Sequence, residues 1–309
     1  MQSVVILGTG GTIAGTAADP GDDIGYTAAQ IGVAQLVAAL PALAGERIEC
    51  EQVAQLDSKD MDHATWQRLA QRCAHHLARA DVAGVVVTHG TDTLEETALF
   101  LQRVLAPVKP LALTGAMRPA TSLQADGPQN LVDALRVVRE PGAGGVVAVL
   151  GGRVLAAGDV RKAHPYRLDA FDAGDAGPIA VVAEGSVRRS RPWPAPRAQA
   201  ALDCIAAEPA GWPRVEIVTS HAGADGRLVQ ALVGQGVAGI VVAGTGNGTL
   251  HAALEWALAE AQACGVSVVR ATRCAAGAVV GGEPRFAAAG ALTPAKARVA
   301  LMLDLMGVP

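Results

Sequence analysis

The chain has 309 residues, of which 25 are Lys or Arg and 29 are Asp or Glu, so its formal net charge is −4. This balance of charge excludes a broadly basic nucleic-acid-binding protein, and 50% hydrophobic residues in a chain of this length can form a sizeable core. The apolar runs are far shorter than the roughly 20 residues that span a bilayer, so we expect no membrane segment.

The first part of the chain alternates β-rich runs with Ala- and Leu-rich stretches of helical period, a pattern typical of βαβ units and a mainly parallel sheet. The pattern predicts strands at 4–7, 85–87, 111–113 and 146–149, and helices at 31–40, 65–79 and 93–104. Ligands of open parallel sheets bind beyond the carboxyl ends of the strands. We therefore expect the site in the loops that begin at Gly8, Thr88 and Thr114.

A proline-rich segment then interrupts the pattern, and we predict a linker at 191–213. A second βαβ series follows it, with predicted strands at 215–219, 240–243 and 266–270 and predicted helices at 226–234, 249–264 and 293–306. The sequence thus predicts an α/β fold with two α/β domains. The larger N-terminal domain covers 1–190 with a mainly parallel sheet flanked by helices and contains the three loops in which we expect the site, and the smaller C-terminal domain covers 214–309.

The glycine-rich stretch Gly8–Gly15 directly follows the first predicted strand. Such turns often hold the phosphates of a dinucleotide, but here the third glycine of that pattern is replaced by Ile13 and no acidic residue ends a clear second strand. The stretch instead places Thr12 among glycines that leave its hydroxyl exposed. Thr12 is a candidate nucleophile if a base lies near.

A second polar cluster, Thr88–Thr97, follows another buried strand and begins a helix. Helix capping could explain one hydroxyl or carboxylate there, but not two hydroxyls, a carboxylate and an imidazole within five residues. Thr91 and Asp92 are therefore candidates for catalysis or ligand binding, and this loop could face the Thr12 loop across a cleft.

Lysine and tyrosine are rare enough for each to be examined. The chain has four lysines against 21 arginines, and a desolvated lysine can act as a base whereas arginine stays protonated. Lys162 follows another predicted strand and could reach Thr91. Tyr26 lies 14 residues after Thr12 in a Gly- and Asp-rich loop, the kind of segment that closes over a site.

Four motifs together resemble the bacterial-type L-asparaginases: Thr9–Gly15, His89–Thr97, Thr114–Pro119 with the following 125–128, and Gly244–Gly248. They occur in the family's order over nearly the whole chain. The resemblance implies a two-domain α/β homotetramer, built from intimate dimers, that hydrolyses L-asparagine to L-aspartate and ammonia. It also implies no metal and no cofactor, and a small amino-acid amide as the partner, without nucleic acid or membrane.

The resemblance implies a role for each matching residue. Thr12 would attack the side-chain amide with help from Tyr26, and Thr91, Asp92 and Lys162 would form a second catalytic set in which Lys162 accepts a proton through the Thr91 hydroxyl. An alcohol is a poor nucleophile until a proton acceptor is hydrogen-bonded to it, which gives this set a chemical reason.

The remaining implied roles concern substrate binding. Backbone amides near Thr91 and Ala116 would stabilise the oxyanion, Asp92 would hold the α-ammonium group, and Ser58 would hold the α-carboxylate. Asn247 would reach the site of a neighbouring subunit, so the active unit would be at least a dimer.

Two positions depart from the family pattern. Lys59 follows Ser58 where the family usually has Gln or Glu, and we expect it to alter the preference among amino-acid amides. The segment 275–285 is short, and Glu283 is the candidate for the acidic residue that reaches a neighbour's substrate. Both departures concern specificity rather than reaction type.

Several alternatives stay open. The chain could be an amidase on glutamine or on a succinamate-like substrate, or a non-catalytic α/β ligand-binding protein; an amide-hydrolysing subunit of a tRNA amidotransferase would call for an RNA-facing domain that the sequence does not show. We expect His75 and His76 to be a partly exposed pair rather than a metal site, and His89 to hold its loop. Five cysteines without a CxxC pair, and the lack of a signal-like first segment, predict a cytoplasmic location.

Overall fold

The structure is a computed structural model that describes residues 2–197, 200–281 and 285–309. It divides into two compact units, Met1–Ala206 and Ala207–Pro309. Part of the predicted linker packs on the first unit, where Arg191 Nη1 lies 3.2 Å from Asp159 Oδ2. The linker at 191–213 thus crosses the boundary between the units, and the domain limits at 190 and 214 remain predictions.

The described residues of the first unit form ten strands: β1 (Ser3–Gly10), β2 (Ile48–Leu56), β3 (Val82–Thr88), β4 (Leu111–Thr114), β5 (Val146–Leu150), β6 (Arg153–Ala156), β7 (Arg161–Lys162), β8 (Phe171–Asp172), β9 (Ala180–Ala183) and β10 (Ser186–Arg189). Eight of them form one sheet in the order β10-β9-β6-β5-β4-β3-β1-β2, and β7 pairs with β8 in a separate hairpin. The pairs from β2 to β5 are parallel, and those from β5 to β10 are antiparallel.

Four α-helices flank this sheet: α1 (Val33–Ala38), α2 (His63–Ala78), α3 (Leu94–Leu105) and α4 (Gly127–Arg139). Short 3-10 helices lie at Thr12–Ala14, Pro41–Leu43, Ser58–Asp60, Gly174–Ala176 and Leu202–Ile205. The Asp62 carboxylate begins α2 by accepting from the Thr65 amide, and Pro128 at the start of α4 has no amide hydrogen to leave unpaired.

The central strands are apolar because both faces of the sheet are covered. Every residue of β1, β4 and β5 is buried, as expected of parallel strands between two helix layers. The edge strand β2 is mostly half-exposed and carries Glu49, Glu51 and Gln52. The sheet therefore has an apolar centre and a polar edge.

The chain leaves β1 for β2 on one side of the sheet and then returns to β3 on the other side. Such a reversal separates the loops that follow neighbouring strands and opens a crevice at their carboxyl ends. In this sheet the crevice lies where the Thr12 loop and the Thr91 loop begin.

The second unit has a parallel sheet in the order β11 (Val215–Thr219), β12 (Gly239–Gly244), β13 (Ser267–Thr272) and β14 (Ala287–Ala288). Its helices are α5 (Arg227–Gly234), α6 (Ala252–Ala263) and α7 (Pro294–Leu305), with a 3-10 helix at Pro209–Gly211. The predicted start of the last helix is confirmed, since the Thr293 side chain caps the Lys296 amide and Pro294 follows it. The predicted α/β fold is confirmed. Within the described ranges, no helix has the length and hydropathy needed to cross a membrane.

Candidate active site

Three loops meet at one edge of the large sheet, because β1, β3 and β4 are adjacent and in register. Gly8 pairs with Thr88, and Thr88 pairs with Thr114. The first two loops touch through their backbones: a Cβ on Gly11, which has a φ of +80°, would overlap Gly90 Cα. Glycine is thus required at both positions for the Thr12 loop to reach the Thr91 loop.

Thr12 begins a 3-10 helix directly after β1, and its side chain is buried. Its Oγ1 lies 2.7 Å from the Tyr26 hydroxyl, and either atom can be the donor. Two backbone hydrogen bonds between Thr16 and Thr27, of 3.0 and 2.9 Å, close the loop that carries Tyr26. The structure therefore brings together these two predicted residues.

The loop that carries Tyr26 is held by residues that the sequence did not single out. The Asp23 carboxylate lies 3.1 Å from Arg118 Nε and accepts a 2.6 Å hydrogen bond from Ser122 Oγ. Arg118 is itself fixed, since its guanidinium lies 4.1 Å from the centre of the Tyr166 ring and Nη1 donates to the Tyr166 carbonyl at 2.8 Å. The position of Tyr26 thus depends on the loop after β4.

Thr91, Asp92 and Lys162 form the second part of the cluster. Lys162 Nζ donates to Thr91 Oγ1 at 2.9 Å and to Asp92 Oδ1 at 2.6 Å. The Lys162 side chain is 17% exposed and that of Asp92 is 55% exposed, so the pair opens to solvent on the carboxylate side. The Lys162 amide donates to Glu95 Oε2 at 2.6 Å, which ties the β7 hairpin to the first turn of α3.

Ser58 is almost fully buried beside the same loop, in the 3-10 helix after β2. Its Oγ accepts from the Asp92 amide at 3.2 Å, and its carbonyl accepts from Thr93 Oγ1 at 2.7 Å. Because its Oγ already acts as an acceptor there, its own hydrogen can be donated to an incoming carboxylate.

Lys59 lies beside Ser58 but turns to solvent. Its Nζ is 3.1 Å from Asp57 Oδ2 and 3.0 Å from Asp60 Oδ2, and its side chain is 60% exposed. The hydrogen bonds that the Lys59 ammonium donates to the Asp60 and Asp57 carboxylates raise its pKa. The structure does not bring Lys59 into the cluster, and its effect on substrate preference remains a prediction.

Ala116 lies in the loop after β4, which is held by Asn130 of α4 and by Asp126, the residue that precedes this helix. Asn130 Nδ2 donates to the Gly115 carbonyl at 2.9 Å, and the Asp126 carboxylate accepts from the Met117 and Arg118 amides at 3.0 Å. Ala116 itself is fully buried. Asp126 lies in one of the four family motifs, but the sequence gives no sign of these contacts, because they depend on how α4 packs.

His89 is fully buried next to Thr91, and loss of solvation lowers its pKa to about 4. Its Nδ1 lies 2.6 Å from the Gly90 carbonyl oxygen and its Nε2 lies 3.0 Å from Thr97 Oγ1. Trp66 Nε1 donates to the same Thr97 hydroxyl at 2.8 Å. The expectation that His89 holds its loop agrees with these contacts.

The other predicted residues lie elsewhere. Asn247 is in the second unit, where its Nδ2 donates to the Val280 carbonyl at 2.6 Å and its Oδ1 accepts from the Val280 amide at 2.8 Å. Glu283 falls outside the described residues. The expectation of a partly exposed histidine pair is wrong for His76, which is buried and bonded to Glu51 at 2.8 Å. No group of three or more potential metal ligands occurs among the residues that the structure describes.

The cluster contains what acyl transfer needs. Thr12 and Thr91 supply two hydroxyls, Lys162 supplies a group that can exchange a proton, and Ser58 and Asp92 can pair with the two charged ends of an amino acid. A hydroxyl with a proton acceptor in reach and nearby amide donors is typical of enzymes that form an acyl intermediate.

Comparisons with known proteins agree with this geometry. Residues 3–194 match the model of the asparaginase N-terminal domain, and 214–306 match that of the glutaminase/asparaginase C-terminal domain. L-asparaginase 2 of Escherichia coli is 37% identical over 99% of this chain and 89% of its own, and the glutaminase-asparaginase of Pseudomonas fluorescens is 35% identical over 99% and 86%. The crystal structure of a probable cytoplasmic L-asparaginase from Campylobacter jejuni superposes with a TM-score of 0.91 at 36% identity, covering 99% of this chain and 95% of that one. On matches that extend over nearly its whole length, the chain belongs to the asparaginase family.

Proposed function

We propose that this protein hydrolyses L-asparagine to L-aspartate and ammonia through a covalent acyl-threonine intermediate. The observation that carries the proposal is the convergence, at the ends of β1 and β3, of the Thr12–Tyr26 hydroxyl pair and the Thr91–Lys162 pair. The E. coli and C. jejuni relatives, named as asparaginases, support the choice of substrate.

In the first step Thr12 Oγ1 attacks the side-chain carbonyl carbon of the substrate. Tyr26, whose hydroxyl touches Oγ1, receives the hydroxyl proton of Thr12 and passes it toward the amide nitrogen, which leaves as ammonia. The product of this step is an ester between Thr12 and the aspartyl group.

In the second step a water molecule attacks the ester carbonyl carbon. Thr91 Oγ1 accepts the proton of that water and passes its own hydroxyl proton to Lys162 Nζ, 2.9 Å away. L-aspartate leaves and a proton returns to Thr12 Oγ1. The net change is the addition of one water and the release of one ammonia, which balances.

The negative oxygen of both tetrahedral intermediates needs donors. The amide N–H groups of Thr91 and Ala116 face no acceptor among the described residues, and we assign them this role. One such donor contributes roughly 3 kcal/mol to transition-state stabilisation in other acyl-transfer enzymes. Asp92 and Ser58 would hold the α-ammonium and α-carboxylate groups.

Ammonia release tests the proposal, with L-asparagine, L-glutamine, D-asparagine and succinamate as substrates and Thr12→Ala as the comparison variant. We expect release from L-asparagine in the wild type and a loss of at least about 10³-fold in Thr12→Ala, because removal of a catalytic nucleophile costs that much or more. No release from any of the four amides would favour the non-catalytic alternative.

Glutamine is the second candidate substrate. The Pseudomonas fluorescens relative, a glutaminase-asparaginase by name, is about as similar to this chain as the E. coli one. A kcat/KM for L-glutamine equal to or above that for L-asparagine would favour it and leave the mechanism unchanged.

We further propose a homotetramer in which Asn247 contacts the site of a neighbouring chain. The resemblance to the family supports this, and Asn247 lies in an exposed turn of the second unit. Light scattering on the eluted protein should give the mass of four chains. Asn247→Ala should lower kcat/KM without changing that mass.

We propose that the protein acts in the cytoplasm. The C. jejuni relative is named as a probable cytoplasmic enzyme, and the five cysteines, all within the described ranges, are free thiols. Cell fractionation tests this location: the protein should follow cytoplasmic markers.

A further inference from the structure

We infer that His89 and Asn130 are positioning residues that aim the two amide donors of the oxyanion site. The inference rests on the proposed function, since it assigns those donors a task in amide hydrolysis. It concerns two side chains for which the chemistry itself has no use.

Each donor shares a peptide plane with a carbonyl that a buried side chain holds. In a trans peptide the C=O and N–H bonds point in opposite directions. Gly90 C=O and Thr91 N–H form one such plane, and His89 Nδ1 lies 2.6 Å from its oxygen. The side chain therefore pulls the oxygen toward the interior and turns the Thr91 N–H the other way.

The same arrangement occurs after the neighbouring strand. Gly115 C=O and Ala116 N–H form the second plane, and Asn130 Nδ2 donates to its oxygen at 2.9 Å. Neither the Thr91 N–H nor the Ala116 N–H has a hydrogen-bond partner within the ranges that the structure describes. Two peptides in the loops after the adjacent strands β3 and β4 are thus held at the carbonyl oxygen, while their N–H groups have no partner among the described residues.

Hydrogen-bond directions assign the His89 tautomer. Trp66 Nε1 can only donate, so Thr97 Oγ1 accepts from it and can donate its own hydrogen to His89 Nε2. A carbonyl oxygen can only accept, so Nδ1 carries the ring hydrogen. Burial lowers the pKa of His89 to about 4, which keeps the ring neutral with this single hydrogen near neutral pH.

Both clamps are rigid. Trp66 stacks on Phe100 with ring centres 4.9 Å apart, so the chain from Trp66 through Thr97 to His89 starts in the helix layer. Asn130 is buried, and its carboxamide is fully used: Nδ2 also donates to Asp126 Oδ2 at 3.1 Å and Oδ1 accepts from the Gly151 amide at 2.9 Å. A fixed side chain is what fixes a peptide plane.

The test compares His89→Leu, which fills the space without a donor, with His89→Asn, whose side-chain N–H occupies nearly the position of Nδ1. The kcat for L-asparagine in His89→Leu should fall about 100-fold, the loss typical of one oxyanion donor, while His89→Asn should recover at least about tenfold of it. Affinity for L-aspartate, measured by calorimetry, should stay within about threefold in both variants, because Ser58 and Asp92 are untouched.

Two further variants complete the test of the His89 variants: His76→Leu as a control, and Asn130→Leu at the second peptide. His76→Leu removes another buried histidine, which lies on α2 and bonds to Glu51 of β2, and should lower thermal stability without lowering kcat. Asn130→Leu should reproduce the kcat loss through the Ala116 peptide. It decides the question if His89→Leu gives no cooperative unfolding transition.

Crystal structures of the variants separate this inference from the proposed function. The Gly90–Thr91 plane should rotate in His89→Leu and keep its orientation in His89→Asn, whether or not the protein releases ammonia from L-asparagine. A plane that is unchanged in His89→Leu, or equal kcat values in the Leu and Asn variants, would overturn the positioning role. A wild-type protein inactive on all the amides would instead overturn the proposed function.

Discussion

The two parts of the cluster are held in different ways. Thr91 and Lys162 are fixed by buried or half-buried contacts, with the loop after β3 pinned to Ser58 and β7 pinned to α3 through Glu95. Tyr26 lies on a loop with several exposed contacts, such as those that the Ile24 and Gly25 amides donate to the Asp22 carboxylate. We call these the fixed part, Thr91, Asp92 and Lys162, and the loop part, Tyr26 and Asp23; Thr12, buried directly after β1, belongs to neither.

This difference in support matches a difference in the role that each part has in the proposed reaction. The Thr91–Lys162 pair must keep one geometry to exchange a proton, and rigid elements provide it. A covering loop must open for substrate and close for reaction, so the contacts that hold it closed must be weak enough to break. Substitutions in the fixed part should therefore mainly change kcat, and substitutions of the residues that anchor the loop should mainly change KM.

Among substitutions in these two parts, Lys162→Met should give the largest effect. Of the side chains in the described residues, Lys162 alone bonds to both Thr91 Oγ1 and Asp92 Oδ1, so we expect a fall of about 10²- to 10⁴-fold in kcat, as for loss of a proton-transferring group. Lys109→Met is the matched control, because Lys109 lies before β4 and bonds to the Arg79 carbonyl. Steady-state kinetics of ammonia release measure both, and a loss below tenfold for Lys162→Met would contradict its assigned role.

Acid should lower the free energy of unfolding through His89, which holds the loop that carries Thr91. Its folded pKa of about 4 lies below its ordinary 6.5, so between these values the unfolded chain binds a proton that the folded chain does not. The stability that His89 contributes above pH 6.5 is lost as pH falls toward 4, by about 3 kcal/mol in total.

Urea unfolding of the wild type and His89→Asn, from pH 7 to pH 4, measures this contribution. The difference in free energy of unfolding between the two proteins should shrink toward pH 4, because the variant has no imidazole to protonate. If the free energies of unfolding of the two proteins changed in parallel with pH, His89 would take up its proton as readily in the folded chain as in the unfolded chain, which would contradict the lowered pKa.

Asp23→Ala should show the behaviour expected of the loop part. Without its carboxylate, Arg118 and Ser122 no longer hold the loop, and we expect KM for L-asparagine to rise about tenfold. The free energy of unfolding should fall by about 1 to 3 kcal/mol, because the buried Arg118 guanidinium loses its carboxylate partner. Asp19→Ala is the control on the same loop, since Asp19 Oδ1 bonds to the Gly21 amide. Equal effects of the two substitutions would remove the distinction between the loop part and the fixed part.

Lys59→Gln should give the smallest effect. The sequence predicts that Lys59 alters the preference among amino-acid amides, whereas its ion pairs in the structure favour no effect, and this variant decides between the two. With the Lys59 ammonium between Asp57 and Asp60, we expect the relative rates on L-asparagine, L-glutamine and succinamate to change less than about twofold, as for an exposed ion pair. A larger change would show that Lys59 leaves these carboxylates to reach the substrate.

Much of the fold could be predicted because the central strands are continuous apolar runs. The strands β1, β3, β4 and β5 lie where the sequence predicts them, whereas β2 was missed because an edge strand carries charged residues such as Glu49 and Glu51. Helix α4 was missed too, and so were the antiparallel strands after β5. The antiparallel strands are short and β2 is polar, so tertiary packing rather than local pattern defines them. Helix α4 has 13 residues with apolar side chains at helical spacing, and its pattern would have allowed its prediction.

For the site, the sequence predicted the reacting groups but not their supports. Thr91 and Lys162 were paired by residue type and by their place after strands, and the structure puts their polar atoms 2.9 Å apart. Arg118, Asn130 and Thr97 carry no local signal, because each acts through a partner distant in sequence. Only the assembled fold shows which carbonyl or carboxylate such a side chain meets.

The β7 hairpin brings Lys162 to Thr91 across 71 positions of the chain. During translation, a ribosome that has just made the Thr91 loop has not yet made the lysine that completes it. At about 5 to 20 residues per second, the missing cation follows roughly 4 to 14 s later. A nascent chain therefore carries an incomplete site for several seconds, and a prematurely terminated fragment that ends before β7 would keep the nucleophile Thr12 without the group that regenerates it.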